Sequence, residues 1–121
     1  MLLDTNIIIA ALDGEESIVS SLLGWRKEGR LLIVSSISVA EVLAFPAIQP
    51  DELQIAKEFM REFLVVSFDQ ALAELAAEFE RSRGLALPDA AIVATAMANH
   101  VPLVTRDKKL LKIKDIITIK L

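Results

Sequence analysis

Short aliphatic runs alternate along the chain with longer stretches in which apolar residues return every three or four positions. This alternation predicts strands separated by amphipathic helices. Leu2-Leu3 begins a strand, and Thr5 or Asn6 caps a helix that carries Ile7 to Leu12 and stops at Asp13-Gly14. Glu15 to Lys27 is a second helix, with Ile18, Leu22 and Trp25 on one face and Gly29 after its end. Leu31 to Val34 is a buried strand, and Ser38 to Leu43 a short helix that ends before Pro46. Pro50-Asp51-Glu52 opens a helix carrying Leu53, Ala56, Phe59, Met60 and Phe63, followed by a strand at Leu64-Val65-Val66. Asp69 caps the helix Gln70 to Arg83, whose apolar face holds Leu72, Leu75, Ala76 and Phe79. Pro88 stands in the first turn of a helix that runs to about Asn99; Leu103-Val104 and Ile116 to Ile119 are the last strands. Strands this short and continuously aliphatic, separated by helices, indicate a mainly parallel sheet covered on both faces. Residues 1–121 carry no linker, repeat or low-complexity tract and are expected to form one domain.

Composition adds three things to this picture. Hydrophobic residues make up 54% of the chain and mean hydropathy is +0.50, more apolar surface than a small monomer readily hides, so a homodimer is expected. Its interface is expected on helices of the first 65 residues, with Ile7, Ile8, Phe59 and Phe63 contributing. Trp25 and the phenylalanines sit at helical spacing and are expected mainly in the core. No apolar run reaches the roughly 18 residues of a membrane span. The start of the chain lacks a basic region and places Asp4 in the first apolar stretch, unlike a signal peptide. The absence of cysteine excludes disulfides, thiolate metal sites and a cysteine nucleophile, and a cytoplasmic location fits. Charge is uneven within the net −4. Residues 1–100 hold 7 basic and 15 acidic side chains, whereas residues 101–121 hold 6 basic and 2 acidic. Arg106, Lys108, Lys109, Lys112 and Lys114 thus surround Asp107 in a local basic patch.

Four acids stand where burial makes a carboxylate costly unless it is paired, hydrogen-bonded or bound to a metal. Asp4 and Asp107 follow predicted strands, and ligands in open α/β sheets gather at the carboxyl ends of strands. Asp89 lies three, four and seven residues before Ile92, Val93 and Ala96, which puts it on their inward face. Glu41 lies in the short helix after the second strand. Each acid also has an ordinary role available. Asp4 can cap a helix, Ser38-x-x-Glu41 spells a capping box with Ser38 at the N-cap, Asp89 complements a helix dipole, and Asp107 suits a turn. Together they fall at one predicted edge of one sheet. Oxygen ligands without Cys, and with the single His100 near a helix C-terminus, select Mg²⁺ or Mn²⁺ over zinc.

Leu2-Leu3-Asp4-Thr5-Asn6, Glu41 in its short helix, Pro88-Asp89-Ala90-Ala91-Ile92-Val93-Ala94 and Leu103-Val104-Thr105-Arg106-Asp107, in this order, resemble a PIN domain, in particular the VapC-type toxin nucleases of toxin–antitoxin pairs. The resemblance runs from Leu2 to about Leu111. It implies a three-layer α/β/α sandwich and a divalent-metal-dependent endoribonuclease. Asp4, Glu41, Asp89 and Asp107 take the acidic positions, with Asp4, Asp89 and Asp107 as direct metal ligands and Glu41 acting through water. Thr5, Asn6 and Thr105 match the polar supports. A cognate antitoxin protein and an RNA substrate are the implied partners. One departure is that many family members carry a further Asp and a Phe after the Thr-x-Asp segment, where this chain has Lys108-Lys109-Leu110-Leu111. Arg106, Lys108 and Lys109 are candidates to hold RNA phosphates.

Three other readings compete. One is an RNA-processing nuclease of the same fold that is not a toxin. Another is a non-catalytic module that binds a partner. The third is an aspartate-phosphorylating protein, but Asp4-Thr5-Asn6 lacks the second Asp of a phosphatase nucleophile segment and no early acidic pair of a receiver is present. No Gly-rich phosphate loop occurs, and the one His lies in no triad motif.

Overall fold

The structure, a computed structural model, describes every residue from Met1 to Leu121. Five strands and seven helices follow in the order β1 (Leu2–Leu3), α1 (Thr5–Leu12), α2 (Glu16–Lys27), β2 (Ile33–Ser35), α3 (Ser36–Leu43), α4 (Pro50–Met60), β3 (Leu64–Val66), α5 (Gln70–Arg83), α6 (Leu87–Ala98), β4 (Leu103–Thr105), α7 (Lys108–Leu111) and β5 (Thr118–Lys120). The strands form one sheet in the order β3-β2-β1-β4-β5, and every pair is parallel. The α/β class and the layered architecture agree with the sequence reading.

The register explains why the strands need only two or three residues. Leu2 pairs with Ile33 and with Leu103, and Leu3 pairs with Val104. Successive side chains on a strand point to opposite faces. Leu3, Val34 and Val104 therefore enter one apolar cluster, with Ile7, Ile8, Ile18, Leu22, Val42 and Met60 from α1 to α4. Leu2, Ile33 and Leu103 enter the other, with Ala76 and Phe79 of α5 and Ala90 to Ala94 of α6. Helices thus cover both faces. Fully burying one such Leu is worth about 1.5–3 kcal/mol relative to exposure. Two adjacent leucines on β1 therefore pin the central strand between the layers.

Most boundaries fall within two residues of the pattern. A difference that bears on the site lies in the short helix after β2. β2 runs straight into α3 without a loop, so the cap is Ser35, in extended backbone, with its Oγ accepting from the Ile37 N–H at 3.1 Å. Ser38 is fully buried inside the helix and is not its N-cap, which removes the capping-box reading of Glu41. The basic patch after Asp107 contains a four-residue helix, α7, where only a turn was expected, because Asp107 caps it and Leu110 is fully buried against the second cluster. β5 begins at Thr118, later than Ile116.

Three expectations about apolar residues are corrected. Ile7 and Ile8 are fully buried within the chain and Phe63 nearly so, because α1 is covered by α2 and α3 as well as by the sheet, and Phe63 packs into the same cluster. They cannot contribute to an interface. Phe63 follows α4 rather than belonging to it. Phe45 is 63% exposed in the loop between α3 and α4, not in the core. No helix is long and apolar enough to cross a membrane.

Candidate active site

The chain builds β1, β2 and β3 outward in one direction and then returns to place β4 on the other side of β1. The winding reverses at the carboxyl ends of β1 and β4, the place where such sheets generally form their ligand crevice. Asp4 follows β1 and Asp107 follows β4, so they flank this reversal. Glu41 is carried by α3, which leaves the end of β2, the other neighbour of β1. Asp89 arrives from the second layer, in the first turn of α6.

Hydrogen bonds join these positions. Asp4 is 8% exposed and caps α1, its Oδ1 accepting from the Thr5 N–H at 2.8 Å. Its Oδ2 accepts from the Thr105 hydroxyl at 2.6 Å, and Thr105 Oγ1 in turn accepts from the Asp107 N–H at 3.0 Å. On the other side, Thr5 Oγ1 lies 2.8 Å from Glu41 Oε1 and 2.9 Å from Ser38 Oγ. A hydroxyl has one proton to give. Thr5 therefore donates to the carboxylate and accepts from Ser38. Lys109 completes the set: its N–H donates to Asp107 Oδ1 at 2.8 Å, and its ammonium lies 3.7 Å from Asp89 Oδ2. The four acids are thus linked in the order Glu41, Asp4, Asp107, Asp89 through Thr5, Thr105 and Lys109. Ser38 belongs to this chain of contacts and was read from the sequence only as a cap. Only its burial in the fold, where a serine needs a partner, reveals this role.

Electrostatically the site is under-compensated. Burial pushes the Asp4 carboxyl above its ordinary range. The bonds from Thr105 and Thr5 oppose this, and the negative charges of Asp89 and Asp107 raise it further. Lys109 is the one cationic side chain in ion-pair contact with any of the four acids. Asn6, the residue after Thr5, has a buried Oδ1 without a hydrogen-bond donor. A buried acceptor lacking a donor, three mutually repelling carboxylates and an oxygen-only donor set fit a hard divalent cation in kind. No three acidic or histidine side chains are already drawn into a coordination cage.

The flanking basic residues divide. Arg106 donates to both Glu15 carboxylate oxygens, from Nη1 at 2.8 Å and from Nη2, and its Nε donates to the Leu121 carbonyl at 3.1 Å. The Glu15 carboxyl is held below its ordinary range by Arg106. Lys108 and Lys109 carry no comparable clamp. His100 is exposed at φ 53°, just past the α6 cap, and ends that helix rather than facing the crevice acids.

An acidic crevice at the switch point of a parallel three-layer sandwich defines the class. The chain belongs to the PIN-domain family, whose model matches residues 1–116. PIN domains are generally nucleases. Several solved structures share the fold over nearly their full length. A chain of a toxin–antitoxin complex from Klebsiella pneumoniae is 28% identical, with a TM-score of 0.83 over 99% of this chain and 98% of that one. A chain of VapBC2 from Rickettsia felis, bound to a DNA fragment of its promoter, is 21% identical, with a TM-score of 0.84 over 99% and 97%. A chain of FitAcB from Neisseria gonorrhoeae is 25% identical, with a TM-score of 0.76 over 98% and 95%. No curated protein matches the sequence.

Proposed function

We propose that residues 1–121 act as one divalent-metal-dependent endoribonuclease domain, the toxin of a toxin–antitoxin pair. The observation that carries this reading is the succession of Glu41, Asp4 and Asp107, linked by hydrogen bonds through Thr5 and Thr105, with Asp89 of α6 joined to it by the Lys109 ion pair, at the carboxyl-end side of the central strands. The Klebsiella relative, part of a toxin–antitoxin complex, supports the toxin role and an antitoxin partner.

Asp4, Asp89 and Asp107 would hold Mg²⁺ or Mn²⁺. When bound, the cation supplies the positive charge that offsets the phosphodiester and makes water a better nucleophile. Thr105 fixes the Asp4 carboxylate, and its contact with the Asp107 backbone keeps the two acids in register across β1 and β4. Glu41, held by Thr5, would accept a proton from the attacking water. Asn6, whose buried Oδ1 lacks a donor, would offer a further oxygen. The RNA strand would be cut to leave 5′-phosphate and 3′-hydroxyl ends, with Lys108 and Lys109 meeting its phosphates.

The test is cleavage of a panel of single-stranded and structured RNAs by purified protein, with Mg²⁺, with Mn²⁺ and with chelator. Asp89→Asn keeps the size of the side chain and removes its charge, and is expected to lower the rate by at least about 10²-fold. Equal, metal-independent activity of both proteins would identify a contaminant and defeat the reading.

A further inference from the structure

Lys109 is the one cationic residue that touches two of the crevice acids, Asp107 at the sheet end and Asp89 on α6. Its backbone N–H holds Asp107, and its side chain reaches Asp89 on α6. α7 makes this possible. Asp107 caps that helix and Leu110 anchors it in the second core cluster, so the backbone of residue 109 is fixed at the crevice while its side chain extends along the rim. The side chain is 73% exposed, and the contact at 3.7 Å is longer than a good charge-assisted hydrogen bond. An exposed pair of this kind contributes little to stability and is broken at little cost. Yet it lies where the local charge is most in need of a cation. Arg106, on the other side of Asp107, is committed to Glu15 and the Leu121 carbonyl, and Lys108 makes no ion pair with any of the four acids.

A weakly held ammonium on a ligand position of an acidic crevice suits exchange rather than permanent bridging. We propose that Lys109 is a tethered counter-cation: it pairs with Asp89 until a divalent ion enters, and then turns its ammonium to the RNA phosphate at the same mouth. The inference rests on the nuclease reading and deepens it, assigning one residue to both metal exchange and substrate positioning. Two like charges cannot both lie against Asp89 without repulsion, so the ammonium and the metal compete for that carboxylate. Once displaced, the ammonium remains within a side chain's length of the crevice, where an incoming phosphate supplies the negative charge it has lost.

Lys109→Met keeps the stem and the backbone N–H that holds Asp107, and removes only the charge. Mn²⁺ titration by calorimetry, with no RNA present, is expected to show about tenfold tighter binding by Lys109→Met than by wild type, and wild-type behaviour for Lys109→Arg. Binding of a fluorescent, phosphorothioate-linked single-stranded RNA to the Mn²⁺-loaded proteins is expected to weaken in Lys109→Met. The slope of log affinity against log salt should fall by about 0.7, the contribution of one phosphate contact on a single strand. Lys109→Arg should restore both. If wild type binds Mn²⁺ and Lys109→Met binds it equally well, or if the salt slope is unchanged, the exchange role is overturned while the nuclease reading stands. If wild type binds no Mn²⁺ at all, the nuclease reading fails and this inference with it.

Discussion

The hydroxyl of Thr105 donates to the buried Asp4 carboxylate at 2.6 Å, joining two residues 101 positions apart in sequence. It does so because β1 and β4 are parallel neighbours in register, Leu3 beside Val104. The residue after each pair then meets across the sheet end. Thr105 is fully buried, so no water replaces the bond if it is lost.

Thr105→Val is nearly the same size and removes only the hydroxyl. It leaves Asp4 Oδ2 without that donor and the Asp107 N–H without its acceptor. Losing a bond to a charged group costs about 1.5–3 kcal/mol. Denaturant unfolding should show a loss of that order with an unchanged m-value. If the nuclease assignment holds, cleavage should also fall. Unchanged stability would mean that the bond is replaced from elsewhere.

Asp4 itself makes a pH prediction. Burial and the charges of Asp89 and Asp107 raise its folded-state pKa above the unfolded value. The folded state then binds more protons than the unfolded state between the two values. The associated stability is fully present below the unfolded pKa of about 3.9 and is lost as pH rises through the folded pKa. At neutral pH without divalent ions the full penalty operates. Asp4→Asn should therefore melt above wild type at pH 7 in chelator, and the gap should close as pH falls towards 4. Adding Mn²⁺ should raise the melting temperature of wild type more than that of the variant. A variant that melts below wild type in chelator at pH 7 would contradict this account.

The fold was largely legible because its signals are local and strong. Asp69 caps α5 through the Leu72 N–H and the helix ends at Arg83, both as the pattern indicates, with Gly84 closing it at φ 67°. The alternation of Leu2 and Leu3 between two cores needs only their neighbours to be strands. The acids were legible through the cost of charge beside apolar sequence. What could not be read was pairing across elements. Ser38 as the partner of Thr5 and Arg106 as the partner of Glu15 depend on separations of 33 and 91 residues. Ser35 and Ser38 both spell an N-cap, and only the direct passage of β2 into α3 selects the first. Ile7 and Ile8 looked available to a partner because the eight-residue helix α1 is almost wholly apolar. Which side of such a helix is covered is a tertiary fact.

That tertiary fact redirects the dimer prediction. The large apolar side chains left exposed on helices of the first 65 residues are Ile9, Leu23 and Ile55, on α1, α2 and α4. A second copy is expected to cover part of this surface. Sedimentation at micromolar concentration should give a dimer, and Ile55→Asp should shift it towards monomer without lowering helical content. A wild-type monomer at that concentration would remove the expectation.

Arg106 separates a structural from a substrate role. Its guanidinium ties the α1–α2 turn at Glu15 to the Leu121 carbonyl beyond β5. Arg106→Met should therefore speed hydrogen exchange at Thr118 to Lys120 while leaving β1 protected. RNA affinity should change less than in Lys109→Met. The reverse order, with β5 undisturbed and RNA affinity lost, would return Arg106 to the phosphate-binding set.

Glu41 is held by Thr5, and the two residues can be tested against each other. Thr5 Oγ1 donates to Glu41 at 2.8 Å, while the Thr5 N–H donates to Asp4 at 2.8 Å. One residue thus orients an acid on each side of the crevice. Glu41→Gln keeps an oxygen to accept the Thr5 proton but cannot take a proton from water at neutral pH. Stability should change by less than about 1 kcal/mol, the worth of a single hydrogen bond, because that bond survives. The rate should fall by about 10²-fold or more, the usual contribution of a positioned base. Thr5→Val breaks the link to Glu41 but keeps the backbone N–H that caps with Asp4. It should leave metal affinity nearly intact and cost a smaller part of the rate, since Glu41 remains charged but loses its orientation. The two substitutions act on one function, so the double variant should be little slower than Glu41→Gln alone. Full additivity in the double variant would show that Thr5 serves the site by another route and that the Thr5–Glu41 bond does not position the base.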